Sequence, residues 1–284
     1  MSANERKVMS DYFSAEEYYA DIGRLSNSMI STFIESSLLF EHQYVKRTYK
    51  REATPEMTFG SALHCYMLQT SEYHRRYKVA PKCDRRTKEG KAIYADFELT
   101  LGDAEILTQE QADTIHACVG ALLANEYIHQ AFESDVCRVN ESPIKFEYGG
   151  MPCKALPDMV LPDAAIIFDL KTTRDPSPSA FRKTVVERGY HRQAWFYREA
   201  LRRSQDLDCE FVFICVRSVF PFETATYTLD AEMYRLAEIE VNAAITGIQE
   251  RYVRGNWVPN WSIGTLSLAP PKWFVPFNQS FGGE

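Results

Sequence analysis

The segment from Pro157 to Thr173, PDMVLPDAAIIFDLKTT, carries two acids and an amine at spacings that would allow metal chemistry. If a four-residue turn follows Leu161, that residue pairs with Ile166 in a hairpin. This register places Asp158 directly across from Asp169, with Cβ atoms roughly 5 Å apart on one face of the sheet. Like charges opposite each other are destabilising, so the pattern indicates a cation between them.

Lys171 adds an amine to the same face. Side chains alternate along a strand, so Asp169 and Lys171 point to one side and Leu170 to the other. Hard carboxylate oxygens suit Mg²⁺, with Mn²⁺ as its substitute. A metal bound by Asp158 and Asp169 would activate water and polarise a phosphoryl oxygen, while Lys171 positions the water or offsets charge on the phosphate. The chemistry predicted for these catalytic residues is therefore hydrolysis of a phosphodiester.

A structural interpretation of the same residues stays open. Asp158 and Asp163 would then be turn residues, and Asp169 and Lys171 would form a salt bridge. Asp169 ends an apolar strand, however, where an unpaired charge is costly, and this favours a functional role.

Charge is unevenly distributed along the 284-residue chain, whose formal net charge is −7. A protein that coats nucleic acid by bulk electrostatics is usually basic overall. Basic residues nevertheless outnumber acidic ones two to one from Glu41 to Lys91, and a second basic stretch runs from Arg182 to Arg203. Such runs are often solvated helix faces, but they would suit a nucleic-acid groove if an active site lies between them.

Other features narrow the class of protein. Seven cysteines without a CxxC pair favour reduced thiols over a disulfide framework or a zinc or iron–sulfur site. No segment approaches the roughly twenty apolar residues of a membrane helix, and MSANERKVMSDYF lacks the apolar run of a signal peptide. We therefore expect a cytoplasmic protein with no membrane partner.

Helical patterns dominate the first 140 residues. Ser26 is a predicted N-cap, Thr58 is predicted to cap the next amphipathic helix, and Thr108 with Gln111 forms a capping box. Residues 88–99 are predicted to form a helix as well.

After residue 140 the period changes to that of strands. Paired glycines at 149 and 150 predict a two-residue hairpin between strands 144–148 and 152–160. Buried strands are predicted at 164–171 and 209–216, and an edge strand at 223–229. Helices are predicted at 190–203 and from Asp230 to about Glu250.

The pairing of Pro157-Asp158 with Asp169-Leu170-Lys171 resembles the signature of the PD-(D/E)XK nuclease superfamily. More narrowly, the chain is similar to the exonuclease VIII (RecE-like) branch, which is related to RecB-type nuclease domains. The resemblance runs from about Leu25 to Trp257 and includes RLSNSMISTF, TFGSALHCYML, RTKEGKAIYADF and YHRQAWFY. One departure is that Asp169 stands where many superfamily members carry Glu.

The resemblance implies roles for residues outside the hairpin. His64 would complete the metal shell begun by the two aspartates, Gln193 and Tyr197 would line the site and contact the DNA backbone or Lys171, and Glu141 would match a further acidic position. Without the resemblance, His64 would be a structural residue and Gln193 part of an amphipathic helix.

The implied fold is α/β, with a restriction-endonuclease-like core in which a mixed central sheet is flanked by helices. We predict one PD-(D/E)XK-type domain over residues 1–256, helical in 1–140 and sheet-bearing and catalytic in 141–256. Residues 257–284 form an aromatic, proline-rich tail, either a strap on the body or a docking arm for a partner.

The resemblance also implies a reaction. It is Mg²⁺-dependent 5′ to 3′ exonuclease action on ends of linear double-stranded DNA, which leaves 3′ overhangs for recombination or repair. The implied partners are further copies in a ring-shaped trimer or tetramer and a single-strand annealing protein. Three alternatives are a single-strand exonuclease or endonuclease of the same fold, an inactive DNA-end-binding subunit, and a small-molecule phosphohydrolase, which the basic stretches disfavour.

Overall fold

The structure is a computed structural model that describes residues 14–133, 136–259, 261 and 264–271. A short π-helical segment, Glu41–Val45, continues the third helix. In chain order the α-helices are α1 (Ala15–Ala20), α2 (Asn27–Glu35), α3 (Ser37–Phe40), α4 (Pro55–Leu68), α5 (Thr70–Arg76), α6 (Lys88–Leu99), α7 (Gln109–Ala124), α8 (Glu126–Gln130), α9 (Pro178–Glu187), α10 (Tyr190–Gln205) and α11 (Ala231–Arg254). The strands are β1 (Tyr77–Val79), β2 (Glu105–Leu107), β3 (Val139–Asn140), β4 (Ile144–Tyr148), β5 (Met151–Ala155), β6 (Met159–Leu161), β7 (Ile166–Thr173), β8 (Glu210–Arg217) and β9 (Thr224–Tyr227).

Side-chain caps fix where several helices begin. Ser26 accepts a hydrogen bond from the Met29 amide at the start of α2, and Asp230 caps α11. The predicted capping box of Thr108 and Gln111 is present at α7. These ends agree with the sequence because each cap satisfies an amide that the first helical turn leaves unpaired.

The predicted start of α4 at Thr58 is wrong. The helix begins one turn earlier, because Pro55 suits the first helical position and the Thr54 hydroxyl accepts from the Met57 amide at 3.3 Å. Thr58 therefore lies inside the helix.

The main sheet of the described chain has five strands in the order β3-β6-β7-β8-β9. Strand β7 pairs antiparallel with β6 and parallel with β8, so the sheet is mixed. Strand β9 lies antiparallel at one edge. Two apolar cores cover the two faces of this sheet, and the predicted α/β class with a mixed sheet between helices is confirmed.

The hairpin of β4 and β5 forms a separate two-stranded sheet. Its two-residue turn has φ values of +57° at Gly149 and +72° at Gly150, a conformation that favours glycine. The prediction of one strand over 152–160 is wrong, because residues 156–158 leave the ladder and β6 joins the main sheet instead.

Alternation along the central strands sends side chains to both cores. On β7, Ile167 enters the core beneath α10 and α11, whereas Phe168 and Leu170 enter the core beneath α4 and α7. Asp169 and Lys171 share the face of Ile167, so the strand directs them towards α10.

Trp257 is buried against α3, and most of the predicted tail, 257–284, lies outside the described residues. Among the described residues, no helix combines the length and apolar character required to span a bilayer.

Candidate active site

The hairpin of β6 and β7 brings the two predicted acids together. Leu161 pairs with Ile166, and residues 162–165 form the turn between them, as the sequence predicts. Asp158 immediately precedes β6, and its Oδ2 accepts a hydrogen bond from the Leu170 amide at 2.8 Å. This bond fixes the Asp158 carboxylate beside Asp169.

Asp169 and Lys171 form an ion pair on the face of β7 that looks towards α10. Lys171 Nζ lies 2.5 Å from Asp169 Oδ1, and the Asp169 side chain is fully buried. The predicted salt bridge between these residues is thus present. It does not exclude chemistry, because a second acid lies next to the pair.

His64 reaches Asp158 from α4. Its Nδ1 lies 3.2 Å from Asp158 Oδ2, so the helix-borne histidine and the hairpin acid are in contact. An added Cβ at Gly60, one turn earlier, would lie 3.6 Å from Thr172 Oγ1. The helix therefore crosses close to β7 at this glycine, which brings His64 over the site.

Helix α10 supplies the third wall. Gln193 Nε2 donates to Asp169 Oδ2 at 3.3 Å, and Tyr197 is buried one turn further along the helix. Tyr190 lies on the same face, and Lys171 Nζ stands 4.6 Å from the centre of its ring. Sequence reasoning missed Tyr190, although its i, i+3, i+7 spacing with Gln193 and Tyr197 marks all three as neighbours.

A cleft of about 370 Å³ opens over Asp158. Its polar lining includes His64, Glu141 and Arg76, and its rim carries two tyrosines of α1 that the sequence analysis did not single out. Glu141 adopts the left-handed region at φ +43°, and its amide donates to the Asp158 carbonyl oxygen at 2.9 Å. This unusual backbone conformation for a non-glycine residue places a third acid in the cleft.

The pKa values of the two aspartates are shifted in opposite directions. Burial raises the pKa of Asp169 to about 7, and the neighbouring Asp158 charge adds to the effect despite Lys171. Burial also opposes ionisation of Asp158, but His64 and Lys171 outweigh it and lower its pKa to about 2. One proton is therefore bound unusually tightly by a pair of acids at this site.

Both nitrogen bases favour their charged forms. Burial alone would lower the pKa of Lys171, but Asp169 and Asp158 overcome this effect and raise it. Burial likewise disfavours a charged His64, yet the Asp158 carboxylate raises the pKa of the imidazole.

The donor set fits a hard divalent cation. Asp169 Oδ1 is buried and accepts no well-directed hydrogen bond, and both hydrogen-bonding contacts of Asp158 use Oδ2. Within the described residues, no three histidine, cysteine or acidic side chains converge as a ready-made metal centre. Asp158 instead pairs with His64, and Asp169 pairs with Lys171. Metal binding by His64, Asp158 and Asp169 thus stays a prediction, in which an ion competes with these partners.

The mixed sheet, with an acid pair and a lysine on adjacent strands, defines a protein of PD-(D/E)XK type. The chain matches, over residues 26–257, the family described as PDDEXK-like domain of unknown function (DUF3799). The match covers most of the chain, so the chain belongs to this family, and its assignment to the PD-(D/E)XK superfamily is confirmed. No curated protein matches the sequence.

Solved structures share the fold. A candidate exonuclease from Eubacterium rectale is 14% identical, and the alignment covers 96% of this chain and 99% of that chain with a TM-score of 0.62. At this identity the likeness shows the fold alone. An alkaline exonuclease from Laribacter hongkongensis is 12% identical over 85% of this chain and 97% of its own, with a TM-score of 0.34.

Proposed function

We propose that this protein is a metal-dependent DNA exonuclease that hydrolyses phosphodiester bonds at the ends of linear duplexes. One observation carries the proposal. Asp158 lies beside the Asp169–Lys171 pair and lines a cleft that also contains His64 and Glu141. This combination supplies oxygen ligands and a fixed cation within one recessed site.

His64, Asp158 and Asp169 would hold the ion. Magnesium bound there would polarise a phosphoryl oxygen and lower the pKa of water. Lys171 is positioned to orient the attacking water or to offset negative charge that develops on the phosphate. Gln193 fixes the orientation of Asp169 through its hydrogen bond to Oδ2.

The test uses purified full-length protein and linear duplex DNA. We expect degradation with Mg²⁺ or Mn²⁺, arrest by EDTA, and a loss of at least about 100-fold in Lys171→Ala with DNA binding retained. Lys145→Ala, which removes an exposed lysine from β4, serves as the matched control and keeps full activity. Unchanged cutting by Lys171→Ala would refute the mechanism.

Finer features of the reaction are part of the proposal. The resemblance to exonuclease VIII supports 5′ to 3′ polarity, 3′ overhangs, a ring-shaped homo-oligomer and an annealing partner in recombination. Digestion of duplexes labelled at one end tests the polarity. Covalently closed circles distinguish an endonuclease, single-stranded substrates distinguish a single-strand exonuclease, and binding without cutting identifies an end-binding subunit.

A further inference from the structure

The rim of the catalytic cleft carries an exposed aromatic ring. Tyr19, on α1, is 71% exposed, whereas its neighbour Tyr18 is buried. Both tyrosines line the cleft that contains His64, Glu141 and Asp158. A ring that is mostly exposed and lines the cleft presents its face to a ligand bound beside the recessed acids.

The short helix that presents Tyr19 is anchored to the β4–β5 hairpin by a buried cation. Lys154, on β5, donates to the Tyr18 and Asp21 carbonyl oxygens, and its ammonium lies 4.3 Å from the centre of the Tyr18 ring. The chain then continues beside β5, with hydrogen bonds of 2.9 Å from the Leu25 amide to the Pro152 carbonyl oxygen and from the Lys154 amide to the Leu25 carbonyl oxygen. The ring of Tyr19 is therefore mounted on a fixed support.

The groups around this ring suit a nucleotide. Arg76 lines the same cleft, and it offers a cation for a phosphate near the acids. A volume of about 370 Å³ is at the low end for ligand pockets, which run from roughly 300 to 1,000 Å³. The cleft thus matches one nucleotide of a strand better than a stretch of paired duplex.

We propose that Tyr19 is a stacking platform that takes the unpaired base next to the scissile phosphate, so that the site binds a strand end separated from its complement. The inference rests on the proposed nuclease function. A ring accepts any base on its face, which agrees with cutting that does not depend on sequence. Tyr19 acts here as a substrate-binding residue, distinct from the acids and Lys171 that act on the phosphate.

The experiment measures stacking directly, in the Lys171→Ala background, so that DNA stays intact. The probe is a DNA end with 2-aminopurine at its terminal nucleotide, whose fluorescence falls when the base stacks on a ring. We expect quenching with Tyr19 and with Tyr19→Phe. Tyr19→Leu should abolish the quenching and weaken binding roughly tenfold.

Two controls separate stacking from a structural effect. Tyr252→Ala removes a half-exposed tyrosine from α11 and should leave the quenching unchanged. Thermal unfolding should give the same midpoint for the Leu and Phe variants, since most of the Tyr19 surface is exposed; if the Leu variant is unstable, Tyr19→Gln replaces it.

The inference would be overturned if quenching and affinity persisted in Tyr19→Leu. It would also be overturned if Tyr19→Phe behaved like Tyr19→Leu, because the hydroxyl and not the ring would then bind the base. Failure of the nuclease proposal has a different signature, namely a native protein that does not degrade DNA with Mg²⁺. In active enzyme, which retains Lys171, Tyr19→Leu should raise KM more than it lowers kcat.

Discussion

Asp158 and Asp169 are chemically the same group, but the fold gives them different partners. Asp158 accepts a hydrogen bond from the Leu170 amide and contacts His64, whereas Asp169 is buried against Lys171 and Gln193. The carboxylate that keeps its proton more tightly is therefore Asp169. A divalent ion must displace that proton before both acids can act as ligands.

Metal affinity should consequently depend on pH. Burial, reinforced by Asp158, raises the Asp169 pKa to about 7, so this carboxyl is increasingly neutral below that pH and increasingly charged above it. We expect Mn²⁺ affinity, measured by titration calorimetry, to fall by at least about tenfold per pH unit below that pKa, because Asp169 and the charged His64 must both release a proton before they can bind the ion. Affinity that stays constant from about pH 8 to pH 6 would contradict the assignment of Asp169 as a ligand.

The sequence alone predicted the two acids and the lysine as site residues. The family resemblance added His64, Gln193 and Tyr197. The contacts of Tyr190 and Tyr19 were not predicted. Tyr19 lies far from the hairpin in sequence, and the anchoring of α1 and the following segment to β5 brings it to the cleft. Long-range placement of this kind leaves no local pattern.

At the scale of elements, the approach of α4 to β7 decides whether His64 reaches Asp158. Gly60 faces Thr172 at the crossing, where an added Cβ would lie 3.6 Å from the threonine Oγ1. The space at this glycine therefore controls the distance between a histidine on a helix and an acid on a hairpin.

Substitutions at Gly60 should show how large a side chain the crossing of α4 and β7 tolerates. In Gly60→Ala the new Cβ would lie 3.6 Å from Thr172 Oγ1, an ordinary contact, so activity should stay within about twofold and stability should rise by about 0.5–1 kcal/mol. Gly60→Leu should push α4 away and lower kcat more than about tenfold, since small displacements of catalytic groups are costly.

Gly120 offers a matched control for these variants. It also lies within a helix, α7, but an added Cβ there would meet nothing within 4 Å. Gly120→Leu should therefore retain activity in the same nuclease assay. Equal losses of activity in Gly60→Leu and Gly120→Leu would show that the close approach of α4 to β7 is not the cause.

Helices, strands and turns could be predicted from the sequence wherever a local residue pattern determines them. The paired glycines set the β4–β5 turn, and the apolar run of β7 with the turn after Leu161 set the register of the acids. The break between β5 and β6 was not foreseen, although Pro157, which cannot donate to a ladder, marks the place where it occurs. In the assembled sheet, β6 pairs with β3 and β7 and is thereby separated from β5.

Across the whole molecule, Trp257 joins the segment that follows α11 to helix α3 in the N-terminal helical part. Its ring stacks on Phe40 with centres 5.3 Å apart, and the Ser37 hydroxyl donates to its carbonyl oxygen at 2.8 Å. Only 5% of Trp257 is exposed, and the family match also ends at this residue. Trp257, placed in the tail by sequence, therefore packs with the body.

Removal of this ring should destabilise the entire fold. Trp257→Ala is expected to lower the free energy of unfolding by about 3–5 kcal/mol, as for other buried aromatic truncations. Trp261, which is 56% exposed, provides the control, and Trp261→Ala should change stability by no more than about 0.5 kcal/mol. Urea unfolding measures both, and similar losses in the two variants would contradict the distinction.

The turn of residues 162–165 joins the two strands that position the acids, and its length determines which side of the sheet they occupy. Strand periodicity is two, so lengthening or shortening this surface loop by a single position would rotate Asp158 to the far side while Asp169 stayed in place. The residue types in the loop can vary as long as they permit the turn. Its length, however, is as constrained as the acids themselves. Homologues that cut by this chemistry should therefore vary here by substitution and not by insertion or deletion.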